Sequence, residues 1–371
     1  MKLWTTPPPA SAWPDTNEAD RVRALWAPAL EHGAAWVAPN VGAEAGVLIG
    51  DGHVMPVTAS VPAIGNSYVV SAAGLYLHYA RYEAGRLKSP MEKTGSLALL
   101  GALGPLLRRL DPVVMLDNLP LSTNLRSGAR FPDVWAAALE AVRRAWPGHA
   151  VVVRSLDTRR SGVTLFTLEL LGFRRILSRR VFFQDPSDPQ VWRRRDVKRD
   201  RALEQAHPLD WKTLTPTDAP AVADLYWQLY GDKYTPLNPR FSPAWLAAGL
   251  EGGALRGEGL MEKNRMIGVY GSVEAAGVVT QPVVGYTTAL PPEAGLYRRL
   301  MLRALEQARE RGLLLHASAG AARFKLARGG VPAEEYLAVH TAGCPPVQRA
   351  AWATLAALSA RVGARLLEAS D

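Results

Sequence analysis

At 371 residues and 48% hydrophobic content the chain can bury a sizeable core, is long enough for two domains or two similar halves, and is not globally disordered. A net charge of +9 suits anionic partners (nucleic acid, nucleotide phosphates, an anionic surface), although an arginine-rich composition produces the same balance without a binding role. The single cysteine, Cys344, excludes an intrachain disulfide and a multi-cysteine zinc site, and the seven histidines form no metal-binding pair, so no metal is expected.

Met1–Pro14 is proline-rich and lacks the apolar centre of a secretory signal, and no apolar run reaches ~18 residues. A cytoplasmic protein without a membrane span is therefore expected. A helix is predicted over Glu18–His32, followed by short strands at Val47–Ile49, His53–Thr58 and Tyr68–Val70. An apolar helix signal at Leu97–Leu110 stops at Asp111-Pro112, and Val113–Leu116 reads as a buried strand. Pro132–Trp146 is a helix, with Pro132 in its first turn and Val134, Trp135, Ala138, Leu139 and Val142 on one face. Strand Ala150–Val153, short helix Leu165–Leu171 and strand Arg179–Phe183 follow.

Asp185–His207 connects two parts of the chain, with helical composition over Val191–Gln205 and a basic cluster of Arg193, Arg194, Arg195, Lys198, Arg199 and Arg201. A solvated linker helix and a phosphate-binding helix both fit. Thr217 is a candidate N-cap for a helix reaching Tyr230, and a second helix spans Pro243–Leu250. Gly231–Phe241 reads as a loop whose Lys233, Tyr234, Asn238 and Arg240 suit acceptor recognition or ordinary packing. From Val283 the order is strand, Pro291-Pro292-Gly295 turn, helix Leu296–Arg311, strand Leu313–Ala317, short helix Ala321–Arg328, Gly329-Gly330, and strand Glu335–His340. This repeats the order of Val113–Phe183, so the chain reads as two copies of one pattern with little pairwise identity.

Four segments in that order carry a family resemblance: WRRRDVKRDRALEQA (Trp192–Ala206), LYWQLYGDKY (Leu225–Tyr234), LYRRLMLRALEQARERG (Leu296–Gly312) and ARFKLARGG (Ala322–Gly330). Together they resemble the tandem arrangement of FemABX peptidyltransferases, grouped with the GNAT acyltransferases. The resemblance covers roughly residues 113–339. It implies an α/β fold of two GNAT-like halves, each a mixed central sheet flanked by helices, over residues 1–184 and 211–371, with a basic linker helix at 185–210. It implies an acyltransferase with acyl-CoA as donor, attacked directly by a primary amine on a small molecule or peptide. Aminoacyl-tRNA is the alternative donor, favoured by the basic linker, and a non-catalytic binding protein on the same fold is a third reading. The resemblance also places Phe324 against substrate and the cation of Lys325 beside the reacting carbonyl.

The partial glycine loops are Leu125–Arg130 (LRSGAR) and Pro292–Tyr297 (PEAGLY). At the second, the helix start offers the amides of Gly295, Leu296, Tyr297, Arg298 and Arg299, with two guanidiniums, to a donor pyrophosphate. Tyr286 and Tyr336, in strands beside this region, are candidate proton donors to the leaving group, and both residues also suit packing. Asp117, at the end of the corresponding strand in the first half, can face the acceptor amine or cap a loop. Glu274, His316, Glu334 and Glu335 are the other available bases, and residue type alone does not rank them.

Overall fold

The computed structural model describes residues 1–87, 89–128 and 130–369, with side chains as far as Arg361. The chain forms β1 (Lys2–Trp4), α1 (Asn17–His32), β2 (Ala43–Gly50) and β3 (His53–Ser60), then a helical excursion of α2 (Ala80–Gly85) and α3 (Pro90–Leu107). After it come β4 (Val113–Leu116), α4 (Pro132–Ala145), β5 (Ala150–Asp157), α5 (Gly162–Leu170) and β6 (Arg174–Gln184). The connection holds α6 (Pro189–Arg193) and α7 (Arg195–Ala206). The second series is β7 (Asp210–Thr213), α8 (Ala219–Trp227), α9 (Pro243–Glu251), β8 (Arg256–Glu262), β9 (Arg265–Ala275) and β10 (Val278–Tyr286). It ends with α10 (Leu296–Glu310), β11 (Leu314–His316), α11 (Ala322–Ala327), β12 (Val331–His340) and α12 (Pro346–Ala369).

All twelve strands belong to one mixed sheet, in the order β1-β2-β3-β4-β5-β12-β6-β11-β10-β9-β8-β7. Each series contributes an antiparallel run that ends in a parallel pair, β4 with β5 and β10 with β11. The last strand of each series then crosses over. β12 pairs with β5 of the first series, and β6 pairs with β11 of the second. The fold is therefore α/β and built of two similarly ordered series, as expected from the sequence, with the two expected sheets merged into one. Helices flank the sheet, and the largest buried cluster unites Trp26, Val47 and Val69 with Leu225, Trp245 and Val283 across the two series. Among the described residues no helix is long and apolar enough to cross a membrane.

Several local expectations are corrected. Tyr68–Val70 is a buried turn, where the amide of Tyr68 donates to the carbonyl of Leu237, so its apolar side chains fill a junction and form no strand. The apolar helix begins at Pro90, capped by Ser89, and gives way after Leu107 to a tight turn over Arg108–Leu110. Val191–Gln205 is two helices, because Arg194 adopts an extended backbone (ψ 135°) between them. Thr217 does not cap. The capping box is Thr215 with Asp218, and it opens a single turn before α8. The presumed loop at Gly231 starts inside a wide π-type turn, Gln228–Tyr234. Strands β8 and β9 have no counterpart in the sequence reading. Their glycines and charges interrupt the alternation that marks a strand, and Gly257 is needed because a β-carbon there would lie 1.9 Å from the carbonyl oxygen of Tyr270.

Candidate functional site

β10 and β11 stay paired only from Val278↔Leu314 to Thr280↔His316. Beyond that point β11 ends, whereas β10 passes through a bulge between Thr280 and Val283 and continues against β9 to Tyr286. The parallel pair thus opens into a wedge. At its root the Thr280 hydroxyl donates to the His316 carbonyl (3.0 Å). The side-chain amide nitrogen of the next residue, Gln281, is buried with no hydrogen-bond partner among the described residues.

The chain leaves β10 through Pro291-Pro292, and Gly295 (φ +65°) turns it into α10. The first helical hydrogen bond is from the Arg299 amide to the Gly295 carbonyl, so the amides of Leu296, Tyr297 and Arg298 precede the ladder. A cavity of about 600 Å³ opens here. Its walls are Tyr286, the turn from Pro291 to Arg298, and Gln228, Asp232 and Lys233 of the π-type turn. Six residues singled out from sequence therefore meet in one place: Tyr286, Gly295, Leu296, Tyr297, Arg298 and Lys233. The Lys233 ammonium lies 5.7 Å from the Tyr286 ring centroid. Tyr297 packs on Phe324 (centroids 4.8 Å apart) and on Tyr286 (6.4 Å). Burial raises the phenol pKa of Tyr286, and of Tyr297 more strongly, so both are neutral hydroxyls at neutral pH, able to give a proton.

The linker helix takes part directly. Asp200 of α7 is 1% exposed and accepts from Arg298 Nε (2.6 Å) and from Arg328 Nε and Nη2 (2.6 and 3.1 Å). Arg328 in turn stacks on Phe324, 3.5 Å from its centroid. Glu204, one helical turn on, pairs with Arg299. Arg328, at the end of α11, also lies 3.9 Å from Asp196, so Asp196, Asp200 and Glu204 of α7 face Arg298, Arg299 and Arg328, and Arg298, the most exposed of the three guanidiniums, stands beside the helix-start amides. The opposite face of the same helix and its approach expose Arg193, Arg194, Arg195, Lys198 and Arg199.

Other expected site residues lie elsewhere. Arg299 is 3% exposed and committed to Glu204, so it faces the linker helix and not the cavity. Lys325 is 4% exposed, and its ammonium donates to the carbonyls of Ser318 (3.2 Å) and Ala319 (2.7 Å) in the loop that follows β11. Burial foremost, then Arg179, brings its pKa down to about 7. Tyr234 lies on the ring of Tyr230 (5.8 Å), which stacks on Tyr226. Asn238 ties its own loop to the Tyr230 carbonyl (2.8 Å), and the Arg240 guanidinium covers Trp227 (5.0 Å). Tyr336 sits between β5 and β6, with its hydroxyl donating to Glu334.

Asp117 follows β4, five strands away from β10 in the sheet order. Burial raises the pKa of its carboxyl, but Arg130 (2.7 Å) and Arg126 (2.8 Å) outweigh burial and hold it below the usual range. The remaining candidate bases are also engaged. Glu335 is bonded by Arg179 (2.6 Å) and Glu274 pairs with Arg311. His316, pushed down to about 4 by burial, accepts from the Ser318 amide at Nδ1 (3.1 Å). Sequence reasoning missed Gln228, Asp232, Gln281, Asp200 and Arg328. Asp200 and Arg328 could be found only as a charge complement across 128 residues of chain. Among the described residues no cluster of three or more metal-binding side chains occurs.

No family model matches this sequence, and no curated protein is detectably similar to it. Solved structures with a similar arrangement include FemX, at 8% identity over 80% of this chain and 88% of that one (TM-score 0.48). A tandem GNAT protein from the clavulanic acid biosynthesis pathway is 13% identical over 92% and 94% of the two chains (TM-score 0.42). The C-terminal domain (DUF2156) of a putative lysylphosphatidylglycerol synthetase from Agrobacterium fabrum is 15% identical over 62% and 78% (TM-score 0.46). At these identities the similarity is one of chain arrangement alone.

Proposed function

We propose that the chain is an acyltransferase whose second half binds the donor, with acyl-CoA as donor and a primary amine as acceptor. The observation that carries this reading is the start of α10. There, the helix-start residues Leu296, Tyr297 and Arg298, with Lys233, line a cavity at the end of β10, and Asp200 ties Arg298 to Arg328 behind it. Such an arrangement favours a pyrophosphate, because helix-terminal amides attract oxyanions and the cations of Arg298 and Lys233 stand beside them. The acyl arm would run into the wedge towards Gln281, whose unpartnered amide could donate to the carbonyl oxygen as charge develops on it. The neutral amine attacks the carbonyl carbon, the C–S bond breaks, and the Tyr286 hydroxyl protonates the leaving thiolate. Lys325 acts one step back in this reading, since its ammonium holds the loop after β11. The carboxylates singled out from sequence are paired, so the amine's proton passes to solvent or to Asp232 in the cavity wall.

Calorimetric titration with acetyl-CoA and longer acyl-CoAs tests the donor. Saturable binding that weakens about tenfold or more in Arg298→Ala supports the reading, by loss of a charge-assisted contact, and silence towards every acyl-CoA sinks it.

A second reading, an aminoacyl-tRNA donor, is favoured by one observation. The five exposed basic residues Arg193, Arg194, Arg195, Lys198 and Arg199 lie on the helix pair that adjoins this cavity. Under that reading bulk tRNA binds with a steep inverse dependence on salt while acyl-CoA does not bind. Absence of both leaves a non-catalytic binding protein.

A further inference from the structure

A second cavity, of about 790 Å³, is larger than the one described above. It lies where β10 begins, at Ala276 and Gly277, whereas the donor cavity lies where β10 ends, at Tyr286. With a rise of ~3.3 Å per residue, the nine-residue strand separates the two by about 26 Å. One ligand of ordinary size cannot occupy both. Nor is this cavity the split between β4 and β5. That split holds the Asn118, Asn124 and Arg154 network, in which Arg154 Nη1 donates to Asn118 Oδ1 (3.1 Å) and Asn124 Nδ2 to the same oxygen (2.9 Å).

Both series build its walls. The first supplies the start of α1, the β2–β3 turn with His53, and Ser127, Gly128 and Arg130 of the LRSGAR segment; Ala129 of that segment lies outside the described residues. The second supplies Gly253, Arg256, Ser272 and Glu274. Three carboxylates and three guanidiniums line it, but they are unevenly engaged. Glu18 is taken by Arg130 (3.0 Å), and Glu274 by Arg311, which is not part of the lining. Asp20 is exposed on the helix surface.

Against these stand two under-neutralised cations. The Arg21 side chain is 10% exposed, reaches Glu18 only at 3.7 Å, and is held by the Glu274 carbonyl (2.9 Å) and the Ser127 hydroxyl (3.5 Å). Its pKa is lowered by burial, which Glu18 and Asp117 do not offset. Arg256 is exposed at the rim and, among the described residues, its guanidinium donates to the nearby Gly253 carbonyl (3.2 Å) and meets no carboxylate. Arg130 adds a buried Nε with no acceptor among the described residues. A buried guanidinium without an adequate counter-ion is costly unless an oxyanion completes it.

We infer that this cavity is a second ligand site, which takes a small organic molecule through a carboxylate or phosphate group set against Arg21 and Arg256. Its volume exceeds that of a bare inorganic ion, so the oxyanion is one part of a larger ligand. The site is independent of the donor reading, since no residue is shared between the two cavities.

The test is calorimetric titration of the full chain with citrate, succinate and inorganic phosphate, repeated on three variants. Citrate or succinate should bind saturably at millimolar concentration or below. Arg21→Met should weaken that binding at least tenfold. Ser127→Trp, which fills the cavity from an exposed position and removes no buried charge, should abolish it. Lys233→Ala, in the other cavity, should leave it unchanged. Binding of phosphate without the carboxylates supports the site and assigns it to phosphate compounds. The inference is overturned if none of the three probes binds, or if binding survives Ser127→Trp.

Discussion

Lys325 shows how a single residue can be named from sequence and still change its role in the fold. Its order after Phe324 was legible; its burial was not, because the carbonyls of Ser318 and Ala319 that receive it belong to a loop set by positive φ at Ser318 and Ala321. With its pKa brought down to about 7 from the usual lysine value, the folded protein binds fewer protons than the unfolded chain above that pH. Stability should therefore rise from about pH 7 towards the ordinary lysine range, and Lys325→Met should flatten that rise, as read by denaturant melts at several pH values. Asp117 gives a slope of the same sign, at acid pH, from the opposite cause: there the fold favours the charged form. Its depressed pKa contributes stability that is present above the ordinary aspartate range and lost as pH falls through its folded value. Asp117→Asn removes the charge that Arg126 and Arg130 share and should cost about 3–5 kcal/mol at neutral pH, as expected for breaking a buried ion pair, measured by urea unfolding.

At the scale of elements, the start of α10 is fixed by shape as well as by charge. Gly295 sits at φ +65°, and a β-carbon there would come within 2.6 Å of Leu203 Cδ2 on α7. Gly295→Ala should destabilise the chain by roughly 1–3 kcal/mol and push α7 away, weakening donor binding together with stability. Asp200→Asn separates the two effects. It releases Arg298 and Arg328 from their shared carboxylate and should lower stability while leaving more positive charge for a polyanionic donor, so affinity for acyl-CoA should hold or rise. Differential scanning fluorimetry with and without acyl-CoA reads both terms. Helix α10 itself was legible because its apolar positions recur with helical spacing and a glycine and two prolines precede it. The division of α6 from α7 was not, since a bend at one arginine leaves no mark in composition.

Across the whole molecule, the exchange of β6 and β12 governs how the chain holds together. β12 fills the gap between β5 and β6 and hydrogen-bonds to both, so the first series alone would expose two long strand edges. Heat unfolding of the full chain should therefore be a single transition with calorimetric and van't Hoff enthalpies in agreement, and a fragment of residues 1–184 should fail to give native-like near-ultraviolet dichroism. Separate folding of that fragment would contradict this account. The sequence by itself determined the α/β class, the repeated element order, and the concentration of candidate site residues around Tyr286 and Gly295–Arg298, because periodicity, glycine turns and helix starts are local signals. Only the tertiary structure decided that the two sheets merge, that Asp200 of the linker neutralises Arg298 and Arg328, that Lys325 is withdrawn from the cavity, and that a larger second cavity exists at the far end of β10. Strand partnership, burial and charge pairing depend on residues far apart in the chain, and no local pattern records which of them the fold brings together.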